Sequence, residues 1–322
     1  MSETEILPKP PQTVRPPDPR RRTPLVIIAF CLLPWAWYLV RGFAVLQVIA
    51  AALPAVAAAG ALFALAIAVG RRQAGGFLVA LSIVAFGLFS TFAPRMALGG
   101  PAPTSPLRIV SANVYQNNTT PQAALDALLA QHADVTVAVE TPVGFQQVLA
   151  QDPRVPANRA AFGQLVVVSR YPLHIHTTPA SLPEQRVMVV TVDTPDGPLT
   201  LFVVHSLNPS YETTFIRQLG FVQRLEKAAL RLDAPTLLIG DFNLMDRGEG
   251  YREVTASFRD AMRTDGLAPS TYVHGLWRAL FLRIDHAFLS PEWCAADAST
   301  FAVPGSDHLG IGTSVGPCAL AK

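Results

Sequence analysis

Charge is almost absent from residues 24–94, and this limits what the chain can fold into more than any other feature. Residues 24–94 contain three apolar runs, at about 24–40, 43–70 and 76–93. A helix crosses the hydrocarbon core of a bilayer with about 20 apolar residues. The runs therefore predict three N-terminal transmembrane helices.

The basic residues beside these runs predict an orientation. Arg20, Arg21 and Arg22 precede the first run, and Arg71 and Arg72 lie between the second and the third. Basic flanking residues tend to stay in the cytoplasm. We therefore expect a multi-pass protein of the inner or plasma membrane, in contact with the lipid bilayer, with a cytoplasmic N-terminus and an extracytoplasmic C-terminal domain. A cleaved signal peptide is the alternative for the first run.

Composition divides the remaining residues. Residues 1–23 are rich in proline and arginine and are predicted to be a disordered tail, and residues 95–106 (RMALGGPAPTSP) are predicted to be a linker. Residues 107–322 have the composition of a globular domain. The net charge of +2 is too small to indicate a nucleic-acid surface, and no obligate protein partner is evident. Cys294 and Cys318 could pair in an extracytoplasmic domain or remain free.

The globular region alternates between segments typical of strands and segments typical of helices. Amphipathic helices are predicted over residues 121–132 and 213–232. The predicted strands are 107–113, 135–139, 164–169, 187–192, 201–205, 236–240, 283–289 and 309–315. This alternation indicates an α/β domain with more than one sheet layer.

Six of the apolar segments in this region have a polar, chemically competent side chain at one end. These side chains are Asn113, Glu140, His205, Asp241 with Asn243, Asp285, and Asp307 with His308. Functional groups often lie where a strand ends and a loop begins. The sequence therefore predicts that these groups form one site.

The segments that carry these side chains resemble the endonuclease/exonuclease/phosphatase superfamily. The matching stretches are SANVYQNN (111–118), VAVET (137–141), VVHSLNP (203–209), IGDFN (239–243), RIDHAFLS (283–290) and GSDHLGI (305–311). The resemblance covers about residues 105–316. It implies an α/β four-layer sandwich of two packed mixed β-sheets flanked by helices, here preceded by the three transmembrane helices. Val139 is a departure, because the family usually has glutamine before the metal-binding glutamate.

The resemblance also implies a metal site. Glu140 would be the principal ligand, with Asn113 and Asp307 nearby. Oxygen ligands of this kind favour Mg²⁺ (or Mn²⁺) over zinc.

The other side chains would act on the phosphate. By resemblance, Asp241 would orient or deprotonate the attacking water, and Asn243 would hold a phosphate oxygen. His308 would donate to the phosphoryl group while Asp285 holds its imidazole in one tautomer. His205 would contact the phosphate or protonate the leaving oxygen.

These roles imply a membrane-anchored, metal-dependent phosphoesterase. Its phosphate-ester substrate could be nucleic acid, a phospholipid headgroup or a phosphorylated metabolite, so that nuclease, phosphodiesterase and phosphatase activities all remain open. The alternative is a non-catalytic, membrane-anchored binding module that keeps the fold. A binding module would be free to lose Asp241 or His308, and both are present.

Overall fold

The computed structural model describes most of the chain. The described residues are 19–36, 44–71, 74–97, 99–209 and 212–319. Most of the predicted N-terminal tail (residues 1–18) and the basic residues Arg41 and Arg72 lie outside these ranges.

The apolar runs form helices. Their bounds are α1 (Pro19–Leu32), α2 (Ala44–Arg71) and α3 (Ala74–Phe92). Helix α1 begins within the predicted tail, so residues 19–23 are helical. It gives way to a 3₁₀ turn at Leu33, directly before Pro34.

Among the described residues, one helical stretch is long and apolar enough to cross a membrane. This stretch is Gly75–Arg95, and the apolar stretches Leu25–Ala36 and Ala50–Ala66 are shorter. The part of the chain that the structure describes therefore supports one of the three predicted spans by length and composition.

The C-terminal domain contains two six-stranded mixed sheets. The strands of the first sheet, in spatial order, are β11 (Trp293–Ala302), β12 (Leu309–Pro317), β1 (Leu107–Asn113), β2 (Val135–Val139), β4 (Leu165–Ser169) and β3 (Asn158–Phe162). Those of the second are β5 (Leu173–His176), β6 (Val187–Thr194), β7 (Gly197–His205), β8 (Thr236–Asp241), β10 (Asp285–Leu289) and β9 (Arg259–Asp260). The parallel pairs are β1 with β2 and β7 with β8.

Helices cover the outer face of each sheet. Their bounds are α4 (Pro121–Leu129), α5 (Val143–Gln151), α6 (Glu212–Ala229) and α7 (Glu249–Ser257). One apolar core lies between the sheets, a second lies under α4 and α5, and a third lies under α6 and α7. The four-layer α/β sandwich that the resemblance implies is therefore the fold of this domain.

Central strands match the sequence predictions more closely than edge strands do. Strands β1 and β2 have the predicted bounds, and both are almost wholly buried. The unpredicted strands β3, β5, β9 and β11 all lie at sheet edges. Because an edge strand such as β5 is largely exposed, it lacks the apolar run on which strand prediction depends.

The described residues of the segment 95–106, predicted to be a linker, contact the domain. Met96 pairs with Leu267, and Pro103 pairs with Cys318 in short β-bridges. Cys318 in turn forms a disulfide with Cys294 at the start of β11. The pairing that the sequence left open is thus present.

Candidate active site

Strand register brings three of the predicted side chains into one row. Asp241, at the end of β8, is the register partner of His205 on β7 and of Asp285 on β10. Three neighbouring strands therefore deliver an imidazole and two carboxylates to one edge of the second sheet. The first sheet supplies Asn113 and Glu140, which end or follow the parallel strands β1 and β2.

Gly240 allows β7 and β8 to approach closely before this row. Its φ is +136°, and a Cβ at this position would lie 2.1 Å from the carbonyl oxygen of Val204. Only glycine fits such a contact and such a backbone. The glycine of the IGDFN segment is therefore needed to place Asp241 beside His205.

Glu140 is the centre of one cluster. Its Oε1 lies 3.0 Å from Nε2 of His205 and accepts a hydrogen bond of 3.0 Å from Nδ2 of Asn113. Burial alone would raise the pKa of Glu140, but the hydrogen bonds from His205 and Asn113 outweigh it and lower the pKa to about 2. Glu140 is therefore a carboxylate at any physiological pH.

Asp241 lies between this cluster and a second one. Asn113 also donates from Nδ2 to Oδ2 of Asp241, at 3.0 Å, and so joins the two carboxylates. Burial and the charge of Asp285 raise the pKa of Asp241 to about 6. A carboxylate with a pKa in this range can accept and release a proton near neutrality.

His308 and Asp285 form the second cluster. Nδ1 of His308 lies 2.8 Å from Oδ2 of Asp285, and Nε2 lies 3.9 Å from Oδ2 of Asp241. Burial alone would lower the pKa of His308, but the charge and hydrogen bond of Asp285 outweigh it and raise the pKa to about 10. These contacts favour the cationic form of His308, whose Nε2 is directed toward Asp241.

Asn243 follows Asp241 with a positive φ of 49°. Its backbone N–H donates to Oδ1 of Asp241 at 2.8 Å. The loop is held by Gln218 of α6, whose amide donates to the carbonyl oxygens of Phe242 at 3.0 Å and Asn243 at 2.9 Å. No role was predicted for Gln218. The signal available in the sequence was its position, a glutamine on the otherwise apolar face of an amphipathic helix.

Asp307 lies beside the clusters but outside both. The groups of described residues whose ligand atoms lie within 4.8 Å of one another are Glu140 with His205 and Asp241, and Asp241 with Asp285 and His308. The carboxylate of Asp307 instead interacts with the hydroxyl of Tyr272. The Tyr272 ring also packs edge-on to His308, with centroids 5.1 Å apart.

Two hydroxyl groups that sequence analysis did not identify hold the second cluster in place. Oγ1 of Thr271 accepts from the backbone N–H of Asp285 at 3.1 Å. Oγ of Ser306 accepts from the backbone N–H of His308 at 3.0 Å and donates to the carbonyl oxygen of Asn113 at 2.7 Å. Ser306 thereby connects the His308 loop to the end of β1.

The donor set suits a hard divalent cation. Carboxylate oxygens of Glu140 and Asp241 face the same amide of Asn113, within reach of one ion. Oδ1 of Asn113 accepts from the backbone N–H of Tyr115 at 2.9 Å, so the amide nitrogen is the group that faces the two carboxylates. Carboxylate and amide oxygens are the ligands that Mg²⁺ and Mn²⁺ prefer.

Six of the eight predicted site residues line one cleft of about 1050 Å³, and Asn113 and Asp285 are the two that do not. Its polar floor includes Glu140, His205, Asp241 and His308. Acids, imidazoles and amides that meet in this way at the edge of two packed sheets are typical of the active sites of phosphoester hydrolases. The sequence profile described as the Endonuclease/Exonuclease/phosphatase family matches residues 110–308, so the chain belongs to that family.

Solved structures of similar fold include an endonuclease/exonuclease/phosphatase from Beutenbergia cavernae, at 16% identity and a TM-score of 0.50, covering 67% of this chain and 73% of that one. The TDP2 of D. rerio complexed with a single-strand DNA product matches at 17% identity and a TM-score of 0.54, covering 66% and 99%. The 3′ phosphatase NExo from Neisseria, bound to a product DNA hairpin, matches at 18% identity and a TM-score of 0.50, covering 64% of this chain and 98% of that one. No curated protein matches the chain in sequence.

Proposed function

We propose that the protein is a divalent-metal-dependent phosphoesterase, anchored in a membrane, that hydrolyses phosphodiester or phosphomonoester bonds outside the cytoplasm. The observation that supports the chemistry is the meeting of Asp241, with its raised pKa, and cationic His308 beside the carboxylate of Glu140. Candidate substrates are nucleic acid, a phospholipid headgroup and a phosphorylated metabolite.

In this proposal Asp241 accepts a proton from the water whose oxygen attacks phosphorus. His308 donates from Nε2 to a non-bridging oxygen, where charge accumulates in the transition state. Asp285 accepts a hydrogen bond from Nδ1 of the same ring and so holds its orientation. As the bond to the leaving oxygen breaks, His205 supplies a proton to it. Asn243 holds another phosphate oxygen.

Glu140 would hold the metal, with Asn113, whose amide donates to the Glu140 carboxylate, beside it and Asp307 at the margin. The ion, Mg²⁺ or Mn²⁺, would neutralise charge on the phosphate oxygens. Acidic Glu140 remains ionised at low pH because of its lowered pKa, which suits a permanent ligand.

The test is hydrolysis of bis-4-nitrophenyl phosphate by the full chain in a mild detergent, with Mg²⁺, Mn²⁺ or EDTA. We expect turnover with metal and none with EDTA. Asp241→Ala should lower kcat/KM by about 10²–10⁴-fold, the usual contribution of a general base. The matched control is Asp233→Ala, which removes an exposed carboxylate between α6 and β8 and should retain wild-type activity.

Folded protein that binds no divalent cation and hydrolyses neither this diester nor 4-nitrophenyl phosphate would reject the proposal. Equal activity of Asp241→Ala and Asp233→Ala would instead show that Asp241 takes no part in the reaction. Calorimetric titration with Mn²⁺ would separate loss of metal binding from loss of catalysis.

Three observations support the membrane location. Apolar side chains on α2 and α3 are open to the surroundings, among them Phe63 at 71% exposure and Phe77 at 55%. The C-terminal domain contacts the first half of α2 through Arg247 and the end of α3 through Phe281, whereas the basic connection at Arg71 lies at the other end of both helices. The disulfide between Cys294 and Cys318 is typical of an oxidising compartment.

A pair of C-terminal fusions tests this orientation in a bacterial host. Alkaline phosphatase folds only outside the cytoplasm, and green fluorescent protein fluoresces only when it folds inside. We expect phosphatase activity from the first fusion and no fluorescence from the second, with both proteins in the membrane fraction. Bright fluorescence, or recovery in the soluble fraction, would contradict the location.

A further inference from the structure

Helix α2 contains a proline, Pro54, about three turns from its N-terminal end. Pro54 has no N–H, and its ring crowds the carbonyl four residues earlier, so the carbonyl oxygen of Ala50 has lost its helical donor. Ala50 is nevertheless completely buried. A buried carbonyl without a donor is costly, which raises the question of what satisfies it.

The donor comes from the C-terminal domain. Nε of Arg247, in the loop before α7, donates to the carbonyl oxygen of Ala50 at 2.5 Å, and Nη2 donates to that of Ala51 at 2.9 Å. Nη2 also donates to the carbonyl oxygen of Leu280 at 3.0 Å. A planar guanidinium with several donors is suited to such a set of carbonyls. Arg247 thus fastens the turn that Pro54 opens.

A second arginine crosses the same boundary in the opposite direction. Arg95 follows α3 and enters the domain, where Nε donates to the carbonyl oxygen of Ala268 at 2.7 Å and lies 3.4 Å from Oδ2 of Asp246. Asp246 also lies near Arg247, at 3.9 Å. The buried carboxylate of Asp246 therefore lies near two arginines, one that follows α3 and one from the C-terminal domain.

The turn of α2 that Arg247 contacts borders the active-site cleft. Ala51 and Ala52 line the cleft, as do the apolar side chains of Phe215, Leu244 and Met245. Glu140, Asp241 and His308 line the same cleft. The cleft therefore combines polar groups suited to phosphate with an apolar lining to which the N-terminal helices contribute.

We propose that helix α2 forms part of the substrate-binding wall of the active site. Arg247 is a positioning residue that holds the proline-opened turn, and Ala51 and Ala52 form the wall against which an apolar group of the substrate lies. The substrate class is then a phosphate ester with an apolar organic group. This inference rests on the proposed phosphoesterase activity.

The test compares two substrates that share a leaving group, 4-nitrophenyl methyl phosphate and 4-nitrophenyl butyl phosphate, with the full chain in detergent and Mn²⁺. Full burial of three more methylenes should raise kcat/KM for the butyl ester by up to about 60-fold, mostly through KM. Ala52→Asn should lower the butyl-to-methyl ratio at least about threefold, because it makes the wall polar. Ala66→Asn, the same change on an exposed residue about 21 Å along α2, should keep both rates.

Arg247 and Pro54 are tested as a pair. Arg247→Met should lower the ratio and the unfolding temperature, while Arg247→Lys, which keeps a donor, should retain most of both. Adding Pro54→Ala to Arg247→Met supplies a backbone N–H to the Ala50 carbonyl. It should therefore recover unfolding temperature without recovering the substrate ratio.

The outcomes separate this inference from the proposed function. If the wild type hydrolyses neither ester, the phosphoesterase proposal fails and this inference fails with it. If both esters are hydrolysed but Ala52→Asn and Arg247→Met leave the ratio unchanged, the phosphoesterase stands and the inference is overturned. An equal loss of ratio in Ala66→Asn would overturn it as well, because the effect would then not belong to the cleft wall.

Discussion

At the scale of single residues, the two histidines near the second cluster have opposite environments. His308 faces the carboxylate of Asp285, so its cationic form is favoured. His286, the next residue on β10, is wholly buried among aromatic rings and stacks on Phe288 at 4.9 Å. Its Nε2 contacts the carbonyl oxygen of Leu244 at 2.7 Å, and its Nδ1 has no partner. A proton on Nδ1 would therefore be an unpaired buried charge.

Burial and the nearby Arg283 lower the pKa of His286 from 6.5 to about 4. The unfolded chain thus binds a proton between pH 6.5 and 4 that the native state does not, so stability falls as pH falls through this window. We expect His286→Phe to abolish this loss in the free energy of unfolding, which amounts to about 3 kcal/mol at pH 4. At pH 7 the same variant should have a free energy of unfolding about 1 kcal/mol lower than the wild type, because one hydrogen bond is lost. Denaturant unfolding at a series of pH values, in EDTA, measures both.

The control for this prediction is His176→Phe, which replaces an exposed histidine on β5. Its acid response should follow that of the wild type. If His286→Phe loses as much stability as the wild type between pH 6.5 and 4, the histidine is protonated in the native state and this explanation is wrong.

At the scale of elements, helix α6 contributes to the site although none of its side chains was predicted to do so. Gln218 donates to the carbonyl oxygens of Leu207, Phe242 and Asn243 from one amide. Those carbonyls belong to the two loops that follow β7 and β8. The helix therefore fixes the spacing between the His205 and Asn243 loops at the wall of the cleft, which Gln218 also lines.

Gln218→Leu should lower kcat/KM for bis-4-nitrophenyl phosphate by about 10–100-fold, because a displacement near 1 Å in a catalytic loop has an effect of that order. Stability should fall by about 1–3 kcal/mol, since buried carbonyls lose their donor. Gln223→Leu, the same change at an exposed position of α6, is the matched control. Unchanged kcat/KM in Gln218→Leu would show that the loops hold their positions without the helix.

At the scale of the whole molecule, one covalent bond closes the edge of the first sheet. The disulfide joins Cys294 on β11 to Cys318, which pairs with Pro103 in the segment leading out of the helices. It encloses β11, the His308 loop and β12 in a loop of 24 residues. The end of the chain, the edge strand and the entry to the domain are thus held together.

Replacing both cysteines, Cys294→Ser with Cys318→Ser, should lower the free energy of unfolding by about 3 kcal/mol, the loop-closure contribution for a loop of this length. Chemical denaturation with and without a reductant measures it, and the reductant should have no effect on the double variant. Cys31→Ser lies outside the domain and serves as the control. Equal stability of oxidised and reduced wild-type protein would contradict the prediction.

The sequence by itself determined the central strands and the order of the polar groups at their ends. Strands such as β1 and β2 are buried on both faces, so their apolar runs identify them without knowledge of their partners. Because Asp241 lies between His205 and Asp285 in register, the motifs also indicated one site. The motif resemblance identified the family and, through it, the four-layer fold.

Tertiary structure decided what depends on contacts between distant segments. Edge strands, the Gln218 support and the position of Asp307 outside the acidic clusters depend on exposure and packing that no local pattern records. The predicted linker is held to the domain, and the Pro54 turn receives Arg247 from a loop nearly 200 residues away. A proline removes a hydrogen bond wherever it occurs, but only the folded chain determines which group replaces the lost donor.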